Sequence, residues 1–201
     1  MKIDTDYYYF DGEENPNVKR GLAYVAPNHL SVSCPSEEDG RRFMDAIASR
    51  FAVYQYAPKD VVPYDERYDF FFWCNDKWNT TGGRESGDDM RYFTLTPNDR
   101  KPLDVQLADY AKLRDFVREW AGDEKMSATF SWTVKDNAEA IKAEGQRILA
   151  AIAPNEKVCY KGMKGKIKWV GGDCYFMKER ARRYGYRLDW KSVCAIEKIV
   201  A

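Results

Sequence analysis

The chain has 201 residues, of which 44% are hydrophobic, 32% are charged and 15% are aromatic, and its formal net charge is zero. This length and apolar content suffice to bury a sizeable core and exclude an intrinsically disordered chain. No apolar run approaches the roughly 20 residues that span a bilayer, and the first residues lack a signal-peptide layout. We therefore expect a cytoplasmic protein with no membrane partner, and we interpret residues 1–201 as one domain.

The charge is unevenly distributed along the chain. Residues 1–156 contain 20 Lys and Arg against 28 Asp and Glu, a net charge of −8. Residues 157–201 contain 12 against 4, a net charge of +8. The predicted domain therefore has an acidic portion and a basic, aromatic portion, and this asymmetry is the clearest functional signal in the sequence.

The first half of the chain reads as strands followed by a helix. Residues 7–10 predict a strand, and two apolar runs at 22–26 and 30–34 flank Pro27 and Asn28, a pattern typical of a hairpin. Ser36, followed by three acidic residues, predicts a helix start. Gly40 falls inside this helix, where a glycine costs about 1 kcal/mol relative to alanine.

The middle of the chain alternates between aromatic strands and amphipathic helices. Residues 68–74 predict a buried strand and residues 91–96 its returning partner, joined by a long polar loop at 75–89. Apolar residues at steps of three or four predict a helix over residues 102–120. Residues 128–134 alternate as a half-buried strand, and Asp136 resembles the cap of the next helix.

The last segment is basic and rich in glycine. Residues 157–160 predict a short strand, and Lys164, Lys166 and Lys168 alternate with smaller or apolar residues, so that a strand would place the three lysines on one face. Gly171 and Gly172 predict a turn. We expect a short helix from Asp173 to residue 184 and closing strands after it.

These elements together predict an α+β fold. Strands and helices are intermixed without strict alternation, which favours a single domain of mostly antiparallel sheets packed with three main helices and a short C-terminal helix. Five scattered cysteines without a C-x-x-C pair, and one histidine, predict neither a disulfide framework nor a zinc site. We expect no metal and no cofactor.

The basic segment is the candidate contact surface, because clustered cations neutralise phosphates and exposed rings stack on bases. The predicted binding residues are Lys164, Lys166, Lys168, Trp169, Lys178, Arg180, Arg182, Arg183, Tyr184, Tyr186 and Arg187. An alternative is that the three alternating lysines protect an exposed sheet edge from pairing with another chain. The arginines could equally pair with the acidic portion.

Two catalytic patterns are weaker. Asp173 with Asp189-Trp190-Lys191 matches a short acid and acid-x-Lys arrangement that can hold a metal ion and a phosphate. His29 and Cys34 would be too far apart for a Cys–His pair if one strand carries both. We assign no catalytic residue from the sequence.

The leading hypothesis is a small non-enzymatic binding protein that engages nucleic acid, or a protein machine that handles it. By association, such a protein fits an accessory or inhibitor of a phage or mobile element, and an acidic face could imitate nucleic acid. Two alternatives stay open: a metal-dependent phosphodiester hydrolase, and a homo-oligomeric interaction domain.

Overall fold

The computed structural model describes residues 2–8, 14–56, 63–78, 84–120, 126–179 and 185–199. The helices in these ranges are α1 (Pro16–Lys19), α2 (Glu37–Ala48), α3 (Leu103–Trp120), α4 (Ala138–Ala150) and α5 (Trp190–Val193). The strands are β1 (Lys2–Tyr8), β2 (Ala23–Ser33), β3 (Val53–Tyr54), β4 (Phe70–Trp78), β5 (Arg84–Pro97), β6 (Ser127–Asp136), β7 (Lys157–Tyr160), β8 (Met163–Val170), β9 (Asp173–Lys178), β10 (Tyr186–Leu188) and β11 (Ile196–Lys198). Of the helices described, none has the length and apolar character needed to cross a membrane.

The chain divides into two compact units, each with its own sheet and its own hydrophobic core. Unit 1 comprises Met1–Asn15 and Val25–Lys135, and unit 2 comprises Pro16–Tyr24 and Asp136–Ala201. Two mostly antiparallel sheets and three long helices confirm the predicted α+β class. The assignment of residues 1–201 to a single domain stays a prediction.

Unit 1 is a six-stranded sheet with the strand order β1-β6-β2-β5-β4-β3. The sequence β2-α2-β4-β5-α3-β6 gives the split β-α-β arrangement, in which each long helix connects two strands of one sheet. Apolar side chains of α2 and α3, including Phe43 and Leu113, pack against Leu30, Phe93 and Phe130 of the strands. These residues are fully or almost fully buried and form the larger core.

Helix α2 begins as the sequence predicts and lies very close to β5. The backbone N–H of Asp39 donates to the Ser36 hydroxyl at 3.1 Å, which caps the first turn. A Cβ atom added at Gly40 would lie 1.9 Å from the carbonyl oxygen of Met90. Glycine is therefore required here by the contact between helix and strand, and this contact accounts for its cost in helix propensity.

Two predictions in unit 1 are wrong. Instead of a hairpin at Pro27 and Asn28, β2 is one strand of 11 residues. Pro27 precedes the residues Leu30 to Ser33 that pair with β5, so its missing N–H removes no bond from that ladder. The prediction of a long polar loop at 75–89 is also wrong, because β4 and β5 extend into this range and pair as far as Trp78 and Arg84.

The aromatic strand β4 is buried on one face only. Phe70 and Phe72 enter the core, whereas the side chain of Trp73 is 56% exposed on the opposite face of the sheet. The run of aromatic residues from Phe70 to Trp73 predicts a buried strand, and the structure buries it on one face only. The exposed face of β4 and β5 also carries Tyr92, and it forms a shallow groove of about 270 Å³ with serine and threonine side chains.

Unit 2 is a five-stranded antiparallel sheet with the order β10-β9-β8-β7-β11. Two-residue loops, Lys161-Gly162 and Gly171-Gly172, join β7 to β8 and β8 to β9, and all four residues have positive φ. That conformation matches tight hairpin turns, whose twist suits the flanking strands. One sheet face packs its apolar side chains with Ile148 and Leu149 of α4 and with Ile152 just after it, and forms the smaller core.

The predicted helix that begins at Asp173 is wrong over the described residues. Residues 173–178 form β9, because Cys174 and Phe176 point into the core while Tyr175 and Met177 alternate with them. Asp173 therefore caps no helix, and its carboxylate accepts from Arg187 at 2.9 Å. Helix α4 is capped by Asn137, one residue later than predicted. The closing strands that the sequence predicts are β10 and β11, which have three residues each. The short helix α5 lies between them.

Candidate nucleic-acid interface

Three predicted binding residues, Lys164, Lys166 and Lys168, project from one face of β8. All three are exposed, while Gly165 between them faces the opposite side and is buried. A Cβ atom at Gly165 would lie 2.5 Å from the Phe176 ring, so this side of β8 has no room for a longer residue. The two-residue period of the strand therefore separates a packed side from a cationic side.

β8 is the central strand of the sheet, with β7 on one side and β9 on the other. The alternative that these lysines protect an exposed edge is therefore wrong, since edge protection concerns the outermost strands. We call the sheet face that carries Lys164, Lys166 and Lys168 the lysine face.

Neighbouring strands add residues to the lysine face, because directly opposite residues of paired strands share a face. Lys168 lies opposite Tyr175, which in turn lies opposite Arg187. Lys166 lies between Lys157 and Met177. Like charges directly opposite one another destabilise a sheet. The pair Lys157 and Lys166 is therefore unfavourable in itself, and the ion pair between Lys157 and Glu179 offsets part of that cost.

Two cations on the strands beside β8 pair with carboxylates, whereas the three lysines of β8 do not among the described residues. Lys157 forms an ion pair with Glu179, and Arg187 forms one with Asp173 at 2.9 Å. Glu197 also lies on this face, opposite Cys159. Within the described part of the chain, Lys164, Lys166 and Lys168 have no ion-pair partner. The unneutralised charge therefore runs along the central strand.

Other predicted binding residues do not share this face. Lys178 lies opposite Gly165, and Tyr186 lies opposite Phe176, so both project from the packed side of the sheet. Trp169 also projects from that side, beyond the end of the core, where its ring is 54% exposed. Four further predicted residues, Arg180, Arg182, Arg183 and Tyr184, lie outside the described residues.

Comparison of the chain with protein-family models, with curated proteins and with solved structures found no match.

The charge asymmetry of the sequence follows the division into units. Unit 2 contains 16 Lys and Arg against 8 Asp and Glu, a net charge of +8, and unit 1 contains 16 against 24, a net charge of −8. A balanced total charge argues against a dedicated nucleic-acid binder when the charges are mixed evenly. Here the excess cations belong to one compact unit, where a local field can attract an anion.

Sequence reasoning missed several residues of the lysine face. Tyr175 and Met177 were assigned to a helix, and Lys157 was placed in the basic segment but not among the binding residues. The alternation of core and exposed residues from Cys174 to Met177 was the signal that could have found the first two. Lys157 becomes part of the face only through its register with Lys166.

The nuclease-like residues have structural roles. Asp189 accepts from the Ser192 backbone N–H at 2.7 Å and caps α5, and this hydrogen bond lowers the pKa of its carboxyl group. Lys191 pairs with Asp136 at 2.7 Å. Asp173 and Asp189 line a common cleft, but no group of three potential metal ligands occurs in the described ranges.

These contacts predict that divalent cations do not stabilise the protein. Adding millimolar Mg²⁺ or Mn²⁺ should leave the midpoint of thermal unfolding unchanged relative to NaCl of equal ionic strength, because ligand stabilisation requires a site in the folded state. A clear rise of the midpoint with either ion would contradict this expectation and would favour the hydrolase alternative.

Burial shifts the pKa values of the one histidine and of two cysteines. His29 lies within β2, not in a turn, and burial lowers the pKa of its imidazole. Its backbone carbonyl accepts from the Tyr110 and Ser131 hydroxyls, at 2.8 and 2.9 Å. Burial raises the thiol pKa of both Cys174 and Cys194, which keeps these thiols protonated at neutral pH.

Proposed function

We propose that this protein binds single-stranded nucleic acid across the lysine face of unit 2. The observation that carries the proposal is the row of three exposed lysines on the central strand, without carboxylate partners in the described residues. A lysine whose charge is not neutralised within the fold can exchange its counterions for phosphates, and the released ions favour binding.

The spacing of the lysines supports an extended single strand as the ligand. Alternate residues of an antiparallel strand are about 6.8 Å apart, which resembles the distance between successive phosphates of an extended single strand. A row of point charges with this repeat can contact consecutive phosphates while the bases remain accessible. A lysine contacts the charged phosphate and not the base, so this part of the interface should bind strands of any base sequence.

The composition of the face also supports this ligand. Tyr175 is half-buried between Lys168 and Arg187, so its ring is held in place beside two cations. An aromatic ring that is fixed among cations is the combination found in proteins that bind single strands without sequence preference. In this proposal the role is non-enzymatic, which fits an accessory or inhibitory protein of a phage or mobile element.

The proposal predicts a definite salt dependence. If the three lysines each neutralise one phosphate of a single strand, the logarithm of the association constant should fall with the logarithm of salt concentration with a slope of about −2. Raising the salt concentration from about 50 to about 200 mM should then weaken binding about 20-fold. Fluorescence anisotropy of a labelled oligonucleotide measures this slope directly.

The slope of the salt dependence also distinguishes a nucleic-acid ligand from a protein partner. A flat salt dependence, or no binding at low salt, would remove the lysine face as a phosphate-binding surface. Capture of a protein that persists after nuclease treatment, together with that result, would favour the alternative that the face engages a protein machine.

A further inference from the structure

Unit 2 contains a cleft of about 490 Å³ at the end of β8, between the β8–β9 hairpin and α5. This volume lies within the range of small-ligand sites. The cleft has aromatic walls at Trp169 and Trp190 and an apolar wall at Leu188. Its charged groups come from Asp173, Asp189 and Arg187. The lining of the cleft is thus polar and apolar in similar measure, which suits a ligand that has both a ring and hydrogen-bonding groups.

The two tryptophans of the cleft differ in exposure. Trp190 is held against α4, since a Cβ atom at Gly145 would lie 2.7 Å from its ring. Trp169 extends past the core, and its ring is 54% exposed. An exposed indole beside a cleft offers a flat surface on which another ring can stack, and such stacking is sequence-tolerant because every base has a π face.

The charged groups determine which part of a nucleotide fits. Two carboxylates, Asp173 and Asp189, against one arginine would repel a phosphate from the cleft. A carboxylate can accept several hydrogen bonds. Asp173 accepts one from Arg187 at 2.9 Å, and Asp189 accepts from the Ser192 backbone N–H at 2.7 Å. Amino groups on base edges are suitable donors, and a carboxylate paired with the amino group of cytosine is a known mode of recognition.

The path from the lysine face to the cleft passes the β8–β9 hairpin. Lys168 and Trp169 are adjacent in β8 and project from opposite faces. The hairpin loop consists of Gly171 and Gly172, and a Cβ atom at either would contact nothing within 4 Å. The end of the sheet is thus free of side chains from the loop, and a strand held by Lys168 can turn over it.

We propose that this cleft binds a nucleobase with an exocyclic amino group, stacked on Trp169, from the strand whose phosphates contact the lysine face. The inference rests on the proposed function and adds a base-binding site to it. In this arrangement the lysines contact the phosphates, and Asp173 and Asp189 accept hydrogen bonds from the edge of the base. Cytosine and thymine differ at this edge, because cytosine presents an amino donor where thymine presents a carbonyl acceptor.

The test compares labelled oligo-dC and oligo-dT of about 12 nucleotides, a length within the site sizes of single-strand binders, on the intact chain. We expect oligo-dC to bind at least about fivefold more tightly. Trp169→Ala should weaken oligo-dC binding about tenfold, whereas Trp169→Phe, which keeps a stacking ring, should retain most of it. The control is Trp73→Ala, which removes an equally exposed tryptophan from unit 1.

The outcomes separate this inference from the proposed function. Any of three results would overturn the base site. Trp169→Ala could bind as tightly as the unchanged protein, it could lose no more affinity than Trp73→Ala, or the two oligonucleotides could bind with equal affinity. The steep salt dependence would still stand in those cases and would preserve the lysine face. Free cytidine monophosphate at millimolar concentration should compete weakly, because it lacks the neighbouring phosphates. If cytidine monophosphate competes as strongly as the oligonucleotide does, the cleft binds a free nucleotide. That result would overturn the inference that the base comes from a strand bound to the lysine face.

Discussion

Reversing the charge of the lysine face should abolish nucleic-acid binding. In the triple variant Lys164→Glu, Lys166→Glu, Lys168→Glu, three phosphate contacts are lost. Counterion release from three contacts to a single strand contributes about two decades of affinity near 0.1 M salt, so we expect a loss of at least about 100-fold. The new carboxylates add repulsion. Anisotropy with a labelled oligonucleotide measures the loss, and circular dichroism checks the fold.

The fold should tolerate these substitutions. All three lysines are exposed, and a glutamate at position 166 would lie opposite Lys157, where the present like charges oppose pairing. A matched control changes three exposed lysines of unit 2 that lie elsewhere, Lys142, Lys161 and Lys178, to glutamate. This control alters the net charge equally. If both triple variants lose the same affinity, binding depends on total charge and the lysine face is not the interface.

Substituting alanine for Gly40 should destabilise unit 1 strongly. Helix propensity alone predicts the opposite, a gain of about 1 kcal/mol. The added Cβ atom, however, would meet the Met90 carbonyl oxygen at 1.9 Å and its carbonyl carbon at 2.8 Å. Both are backbone atoms of a paired strand, so α2 must move away from β5. We expect a loss of about 3 kcal/mol or more, since overpacking against a rigid neighbour is among the costliest substitutions.

Denaturation by urea measures this change as a shift in the transition midpoint. Gly145→Ala serves as the comparison, because its Cβ atom would meet a side chain, the Trp190 ring at 2.7 Å. The ring belongs to the four-residue helix α5 and can shift, so we expect a smaller loss of about 1–2 kcal/mol. A stabilised Gly40→Ala variant would show that helix and strand are not in close contact.

The sequence predicted best where a local pattern decides the structure. The helices α2, α3 and α4 follow from apolar spacing and terminal residues, and β7 and β8 from turn glycines and alternation. It failed where partners distant in the chain decide. The Pro27-Asn28 pair forms a turn in many contexts, but here strands on both sides keep β2 extended. β9 resembled a capped helix because Asp173 follows a turn, although its core residues alternate.

The candidate site shows the same division. That Lys164, Lys166 and Lys168 share a face was readable from their spacing. That they occupy an internal strand was not, because residues 173–178, which pair with the second side of β8, resemble the start of a helix in sequence. Lys178 and Trp169 were grouped with the lysines by proximity in sequence, and the strand period places them on the other side.

The order of strands in unit 2 has a consequence for how the unit forms. β7, β8 and β9 are consecutive and joined by two-residue loops, so their pairing closes short segments and should occur on the microsecond scale of isolated hairpins. β11 completes the sheet against β7 and is synthesised after every other strand of the unit. Until then the backbone of β7 has an unpaired edge, and a nascent chain stalled before Ile196 would present that edge to other molecules.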